Sequence, residues 1–175
     1  MKLEQLNLFT KTEFLHDQPN VEEKEREVSC AFTGHRELLE DFSKKKLLQL
    51  IESLLQKGVK TFYCGMAKGF DLFAGETALK LKKKYPDLKL VACVPYYGQE
   101  KGFTEKDKKR YVNLLKKADE KILLSDVYYK GCLLARNRYI VDRSKYLIAY
   151  CKKDTGGTAY TARYAMKKDL EILYL

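Results

Sequence analysis

Hydrophobic and polar positions follow two different periods along most of the chain. Six short runs, 28–33, 59–64, 88–94, 121–125, 146–151 and 171–175, are strand-length and rich in apolar, β-branched and aromatic residues. The stretches between them carry apolar residues on a single helical stripe. In 42–57 the stripe is 47, 48, 50, 51, 54 and 55, with Gly58 placed to stop the helix. In 70–85 it is 70, 73, 74, 78 and 81, closed before Pro86. Residues 105–118, 132–142 and 158–168 also read as helices. Regular alternation of strand and helix predicts a parallel sheet between layers of helices. Several runs are apolar throughout, as strands buried on both faces should be. The expected fold class is α/β: a Rossmann-like, mostly parallel sheet of six strands with helices on both faces. The domain occupies 28–175. Residues 1–27 lack a clear period and read as an acidic N-terminal arm or linker, and the nearly all-charged 21–27 as a linker or short helix.

Length and composition narrow this picture without changing it. The chain has 175 residues, the size of one domain. No apolar run approaches the length of about 18 residues needed to span a membrane. The first five residues lack the apolar core of a signal peptide. A cytoplasmic protein without a membrane partner is the expectation.

Thirty-four basic against 24 acidic residues leave a net charge of +10. The charge is unevenly placed: up to Glu27 there are four basic and seven acidic residues, so the rest is strongly basic. Such a surplus suits an anionic partner, a nucleotide or a nucleic acid, but is equally what a lysine-rich solvated surface would give. The five cysteines form no CxxC pair and are odd in number. That argues against a disulfide framework or a metal site.

In an open parallel sheet, ligands sit beyond the carboxyl ends of the strands, so the segments after each run carry the candidate chemistry. After the first run come Gly34, His35 and Arg36: a close-approach position, an imidazole and an anion partner. After the second, Gly65 and Gly69 lead into a helix whose first turn holds Asp71. Free N–H groups and the helix dipole favour an anion there, and Asp71 would bind ribose hydroxyls or offset the dipole. The spacing is neither a Walker A loop nor GxGxxG. After the third run come Tyr96 and Tyr97, suited to stacking on a base or packing at the loop base. The fourth is followed by Arg136 and Asn137, placed to reach a phosphate or base; Arg138 and Asp142, four residues apart, offer a purely structural helix pair. After the fifth, Gly156, Gly157 and Thr158 open a helix as a second phosphate cradle.

Taken in order, Thr33 to Arg36, Gly65 to Asp71, Pro95 to Gln99, Arg136-Asn137 with Val141-Asp142, and Gly156 to Thr158 resemble the YpsA-like family. That family lies in the SLOG superfamily of Rossmann-like domains, alongside Smf/DprA and LOG proteins. The resemblance covers residues 28–174. It implies a nucleotide-derived ligand, ADP-ribose- or NAD-like, bound by Gly34, Arg36, Gly65, Gly69, Asp71, Arg136, Asn137, Gly156, Gly157 and Thr158; His35, beside Arg36, is a further ligand-binding candidate from its place after the first run. Together with the two glycine turns, Arg36 and Arg136, the resemblance points to a regulatory or sensor role; no metal is expected, as the cysteine pattern already indicated. LOG phosphoribohydrolases carry an acidic residue three positions after the Thr of their glycine motif; here that position is Thr161. A hydrolase of a nucleotide N-glycosidic or phosphate bond, the first alternative, would therefore turn to Asp71 as its candidate catalytic carboxylate. The second alternative is a Smf/DprA-like module for single-stranded nucleic acid, using the basic charge and Tyr96, Tyr97, Tyr128 and Tyr129. A homo-oligomer is a further expectation for this superfamily.

Overall fold

The computed structural model describes residues 23–175. Most of the acidic arm lies outside them, apart from a short helix α1 (Glu23–Glu27). Six strands follow: β1 (Ser29–Gly34), β2 (Thr61–Cys64), β3 (Lys89–Val94), β4 (Glu120–Leu123), β5 (Tyr146–Tyr150) and β6 (Glu171–Tyr174). They alternate with helices α2 (Lys44–Gln56), α3 (Phe70–Leu81), α4 (Glu105–Lys117), α5 (Cys132–Asp142) and α6 (Gly156–Lys167). A 3₁₀ turn, Gln99–Gly102, precedes α4. All pairings are parallel, in the order β4-β3-β2-β1-β5-β6. This is a Rossmann-like α/β fold.

Strand periodicity divides the core in two. Phe32, Phe62, Leu90, Ile148 and Tyr150 point to the face covered by α2, α3 and α4, where they meet Leu47, Ile51, Leu54 and Leu114. Ala31, Val91, Cys93, Leu147 and Ala149 point to the other face, against Ile140 and Val141 of α5 and Ala165 of α6. Both faces of the central strands are buried, which is why their sequences are apolar throughout. The cysteines are free, and all except the half-buried Cys151 are buried.

The strand order sets the place of the site. From β1 the chain winds outward through β2, β3 and β4, then returns to the other side of β1 to lay down β5 and β6. Connections from neighbouring strands therefore diverge above β1 and β5, and a crevice opens there. The register brings Gly34, the last residue of β1, beside Tyr150, the last of β5.

The helix starts are of two kinds. Ser43 Oγ accepts from Lys46 N (3.1 Å) to cap α2, and Thr104 Oγ1 accepts from Asp107 N (3.2 Å) to cap α4. By contrast α3, α5 and α6 start at Gly69, Gly131 and Thr155 without a side-chain cap. Those three starts are gathered around the crevice.

Candidate functional site at the sheet switch point

Above β1 and β5 lies a cavity of about 560 Å³. Its wall is assembled from the β1–α2 loop, the start of α3, the β4–α5 loop, α5 and the start of α6. Of the residues the sequence singled out, Gly34, His35, Arg36, Asp71, Arg136, Asn137, Gly157 and Thr158 line it together. Gly65, Gly69 and Gly156 are not on its wall.

Arg136 is the feature around which the rest is arranged. It is 4% exposed, one turn into α5. Its Nε donates to Asn137 Oδ1 (2.8 Å), while the buried Nη1 has no hydrogen-bond partner among the described residues. A guanidinium is always charged, and a buried donor without a partner is costly, so such an atom requires an explanation. The orientation of the group is fixed by a chain of bonds. Asn137 Nδ2 donates to Thr161 Oγ1 (2.8 Å), and that hydroxyl donates to the carbonyl of Gly157 (2.7 Å). Arg136 on α5 is thereby tied to the glycine turn that opens α6.

Asp71 stands beside it, 5% exposed in the first turn of α3. Burial pushes its carboxyl up to about 6, against the opposing pull of Arg136, the Ala67 N–H and Arg36. The Ala67 N–H donates to Oδ2 at 3.3 Å. A carboxyl pushed up by burial beside a buried guanidinium in a cleft is the kind of pair that marks functional sites. Gly65 makes room for both. A Cβ there would lie 2.4 Å from Arg136 Nη1 and 2.7 Å from Asp71 Oδ2. Gly69 adopts φ +81°, and a Cβ there would meet the Arg36 carbonyl at 2.3 Å. These two glycines hold the wall of the cavity from behind.

His35 fastens the two sides of the switch point. Its Nε2 accepts from the Lys152 backbone N–H at 2.8 Å, which requires the neutral ring. Burial, with Lys153 and Lys152 nearby, lowers its pKa. Tyr150 completes the fastening: its hydroxyl donates to Asp41 Oδ1 (2.8 Å) and accepts from Leu39 N (3.2 Å). Arg36 and Lys153 are exposed, line the cavity and form no ion pair among the described residues.

The other carboxylates are placed differently. Asp126 is exposed and off the wall. Asp142 accepts from Tyr164 Oη (2.9 Å) and pairs with Lys168 (3.1 Å) rather than with Arg138. Arg138 instead donates to Tyr160 Oη. Reading the sequence overlooked Leu39, Cys132 and Lys153 on the wall. It also overlooked the linking role of Thr161, whose only local signal is its place four residues, one helical turn, after Gly157.

Fold and cavity together define a Rossmann-like domain with a crevice at its switch point, lined by Arg36, Arg136 and Lys153. The chain belongs to the YpsA family: the family model described as the YspA SLOG family matches residues 30–174. Among individual relatives, a UPF0398 protein of Halalkalibacterium halodurans is 29% identical over 154 residues, covering 86% of this chain and 80% of its own. The UPF0398 protein YpsA of Bacillus subtilis is 29% identical over 130 residues, 73% of this chain and 72% of its own. Among solved structures, DNA processing protein A from Helicobacter pylori, described there with a single-stranded DNA binding mode, superposes with a TM-score of 0.61 at 23% identity. DNA processing protein A from Streptococcus pneumoniae gives 0.56 at 20%. These likenesses concern the fold. They cover 84% and 85% of this chain but only 64% and 50% of those longer proteins. No described helix is long and apolar enough to cross a membrane.

Proposed function

We propose that the switch-point cavity binds a nucleotide or nucleotide-derived ligand of the ADP-ribose or NAD class, in a regulatory or sensing role. The observation that carries this reading is Arg136 Nη1, a buried cationic donor with no acceptor among the described residues. A phosphate in the cavity would bring an anion to this guanidinium, which lines the wall. The uncapped start of α6 at Gly157 and Thr158 supplies further donors and the positive end of a helix dipole. Asp71 is the natural partner for sugar hydroxyls. Thr161, at the position of the LOG acid, is committed to Gly157 and Asn137. That favours holding a ligand over cleaving it. Were an N-glycosidic bond broken here, Asp71 would be the acid, and Asp71→Asn would abolish turnover while sparing binding.

The test is thermal unfolding of the full chain with AMP, ADP, NAD, ADP-ribose and short single-stranded DNA, at low and moderate salt. A ligand at 100 times its Kd stabilises by about 2.7 kcal/mol, a shift of about 5–10 °C at this size. The expected result is a salt-tolerant shift with one small nucleotide that disappears in Arg136→Met. No shift with any nucleotide, or an unchanged shift in Arg136→Met, would remove the proposal.

A second reading, a module for single-stranded nucleic acid, is favoured by exposed Tyr128, which lines the cavity with the basic Arg36 and Lys153, and by the exposed Tyr129 next to it in the chain. The Helicobacter neighbour's DNA binding points the same way. This reading expects a shift with DNA alone, falling steeply with salt.

A further inference from the structure

Six large apolar side chains are conspicuously exposed among the described residues. Three are consecutive in the β4–α5 loop: Val127 at 67%, Tyr128 at 63% and Tyr129 at 46%. A fourth, Leu39 at 49%, is in the β1–α2 loop, and both it and Tyr128 line the cavity. Scattered exposed apolar residues need no explanation, but a cluster at the lip of a cavity lined by Arg36, Arg136 and Lys153 does.

The lip is held in place. Ser125 Oγ donates to the Val127 carbonyl (2.8 Å) and accepts from Val127 N (3.3 Å). Tyr97 N donates to the Ser125 carbonyl, and Cys132 N to that of Tyr129, both at 3.1 Å. The Tyr128 ring meets Tyr96 edge to face, centroids 5.2 Å apart. A side chain so exposed yet so supported is presented in advance, which lowers the ordering cost of binding. From this lip α5 runs inward. Gly131 caps it and Arg136 lies five residues on, about 7.5 Å along the axis. The cavity thus carries an aromatic side chain, Tyr128, at its lip and a buried cation, Arg136, on its wall, on successive parts of the same loop and helix.

We propose that Tyr128 is the nucleobase platform of this cavity, so that the ligand enters phosphate first and leaves its base stacked at the lip. The assignment rests on the nucleotide reading above and adds the direction of binding and the source of selectivity. The phosphate end alone would accept any sugar phosphate. Tyr128 makes the site prefer nucleotides.

The experiment titrates the full chain with AMP, ribose 5-phosphate and a short oligothymidylate. Tyr128→Ala should weaken AMP by about 5- to 150-fold, the range base stacking gives, and leave ribose 5-phosphate unchanged. Tyr128→Phe should retain AMP affinity. The chain has no tryptophan, so Tyr128→Trp adds a single reporter whose fluorescence AMP should quench and ribose 5-phosphate should not. Equal effects of Tyr128→Ala on both small ligands, or none on AMP, would overturn the platform and leave the pocket reading standing. Loss of oligothymidylate binding alone would also overturn it, assigning the lip to a strand instead. Failure of both small ligands to bind the unaltered chain would remove the pocket reading and the platform with it.

Discussion

The turn before α3 and the turn before α6 both place glycines at a helix start, but protein atoms fill the first and not the second. Around Gly65–Gly69 the orphan donors have internal partners. Phe70 N donates to the His35 carbonyl (3.1 Å), and Ala67 N to Asp71. The backbone is strained to achieve this, with Met66 at φ +60° and Gly69 at +81°. Each of these glycines has protein atoms where a Cβ would go. At Gly156 and Gly157 a Cβ would meet nothing within 4 Å among the described residues. Thr155 provides no cap, and Gly157 is exposed on the cavity wall. The first turn uses its missing side chains to fit the protein together. The second keeps donors and space facing the crevice.

The largest effects should come from the filled turn. Gly69→Ala forces a Cβ against the Arg36 backbone at an unfavourable φ. We expect a loss of about 3 kcal/mol or more, lowering Tm by at least about 6 °C, measured by thermal unfolding without ligand. Retention of wild-type Tm would mean the turn is not built as described.

Asp71 gives an effect of similar size and opposite sign. Its carboxyl, ordinarily near 3.8, is raised to about 6 in the folded chain. Between these values the folded state holds more protons than the unfolded, so this group's contribution to stability falls as pH rises from about 4 to 6. Its ionisation costs on the order of 3 kcal/mol at neutral pH. Asp71→Asn should therefore be more stable than the natural chain at pH 7, while any sugar-directed role of the carboxylate is lost. A variant less stable at pH 7 would show that Arg136 needs the ionised carboxylate, which would make the pair structural.

The open turn should behave in the reverse manner. Gly157→Ala adds a methyl to free space within a helix and should stabilise by about 0.5–1 kcal/mol. Gly157→Glu places an acid at a helix start, where the dipole tolerates it, so the fold survives. Its carboxylate takes the position proposed for a phosphate, and nucleotide affinity should fall at least about tenfold, the equivalent of 1.4 kcal/mol. Binding unaffected by Gly157→Glu would separate α6 from the site.

In sequence the two turns look alike, and their difference was not legible there. Whether an N–H at a helix start is satisfied depends on the acceptor that tertiary structure brings, here the His35 carbonyl from another loop. The strand–helix order was legible because burial on one or both faces imprints a period of its own, and α5 occupies the 132–142 expected for it. The 3₁₀ turn at Gln99–Gly102 was not, because its buried Gln99 and Glu100 are polar and carry no apolar signal. Arg136 could be picked out as a cation at a strand's carboxyl end. Its burial, and the Asn137–Thr161 link that aims it, follow from α5 packing on α6, which no local pattern encodes.

The smallest effect sharpens the contrast from the other side of the switch point. His35 accepts the Lys152 N–H only as the neutral ring, and burial with Lys153 and Lys152 lowers its pKa below the ordinary 6.5. The unfolded chain therefore takes up its proton first. The stabilisation His35 provides is complete above about pH 6.5 and is lost as pH falls through the lower folded value. This slope runs against that of Asp71 in an overlapping range, so the natural chain should show a shallow profile there. Asp71→Asn should expose stability rising with pH on approach to 6.5, and His35→Asn the falling limb of Asp71. Thermal unfolding of the two variants from pH 4 to 7 separates them. Parallel profiles would mean that the β1–β5 fastening does not depend on the charge of His35.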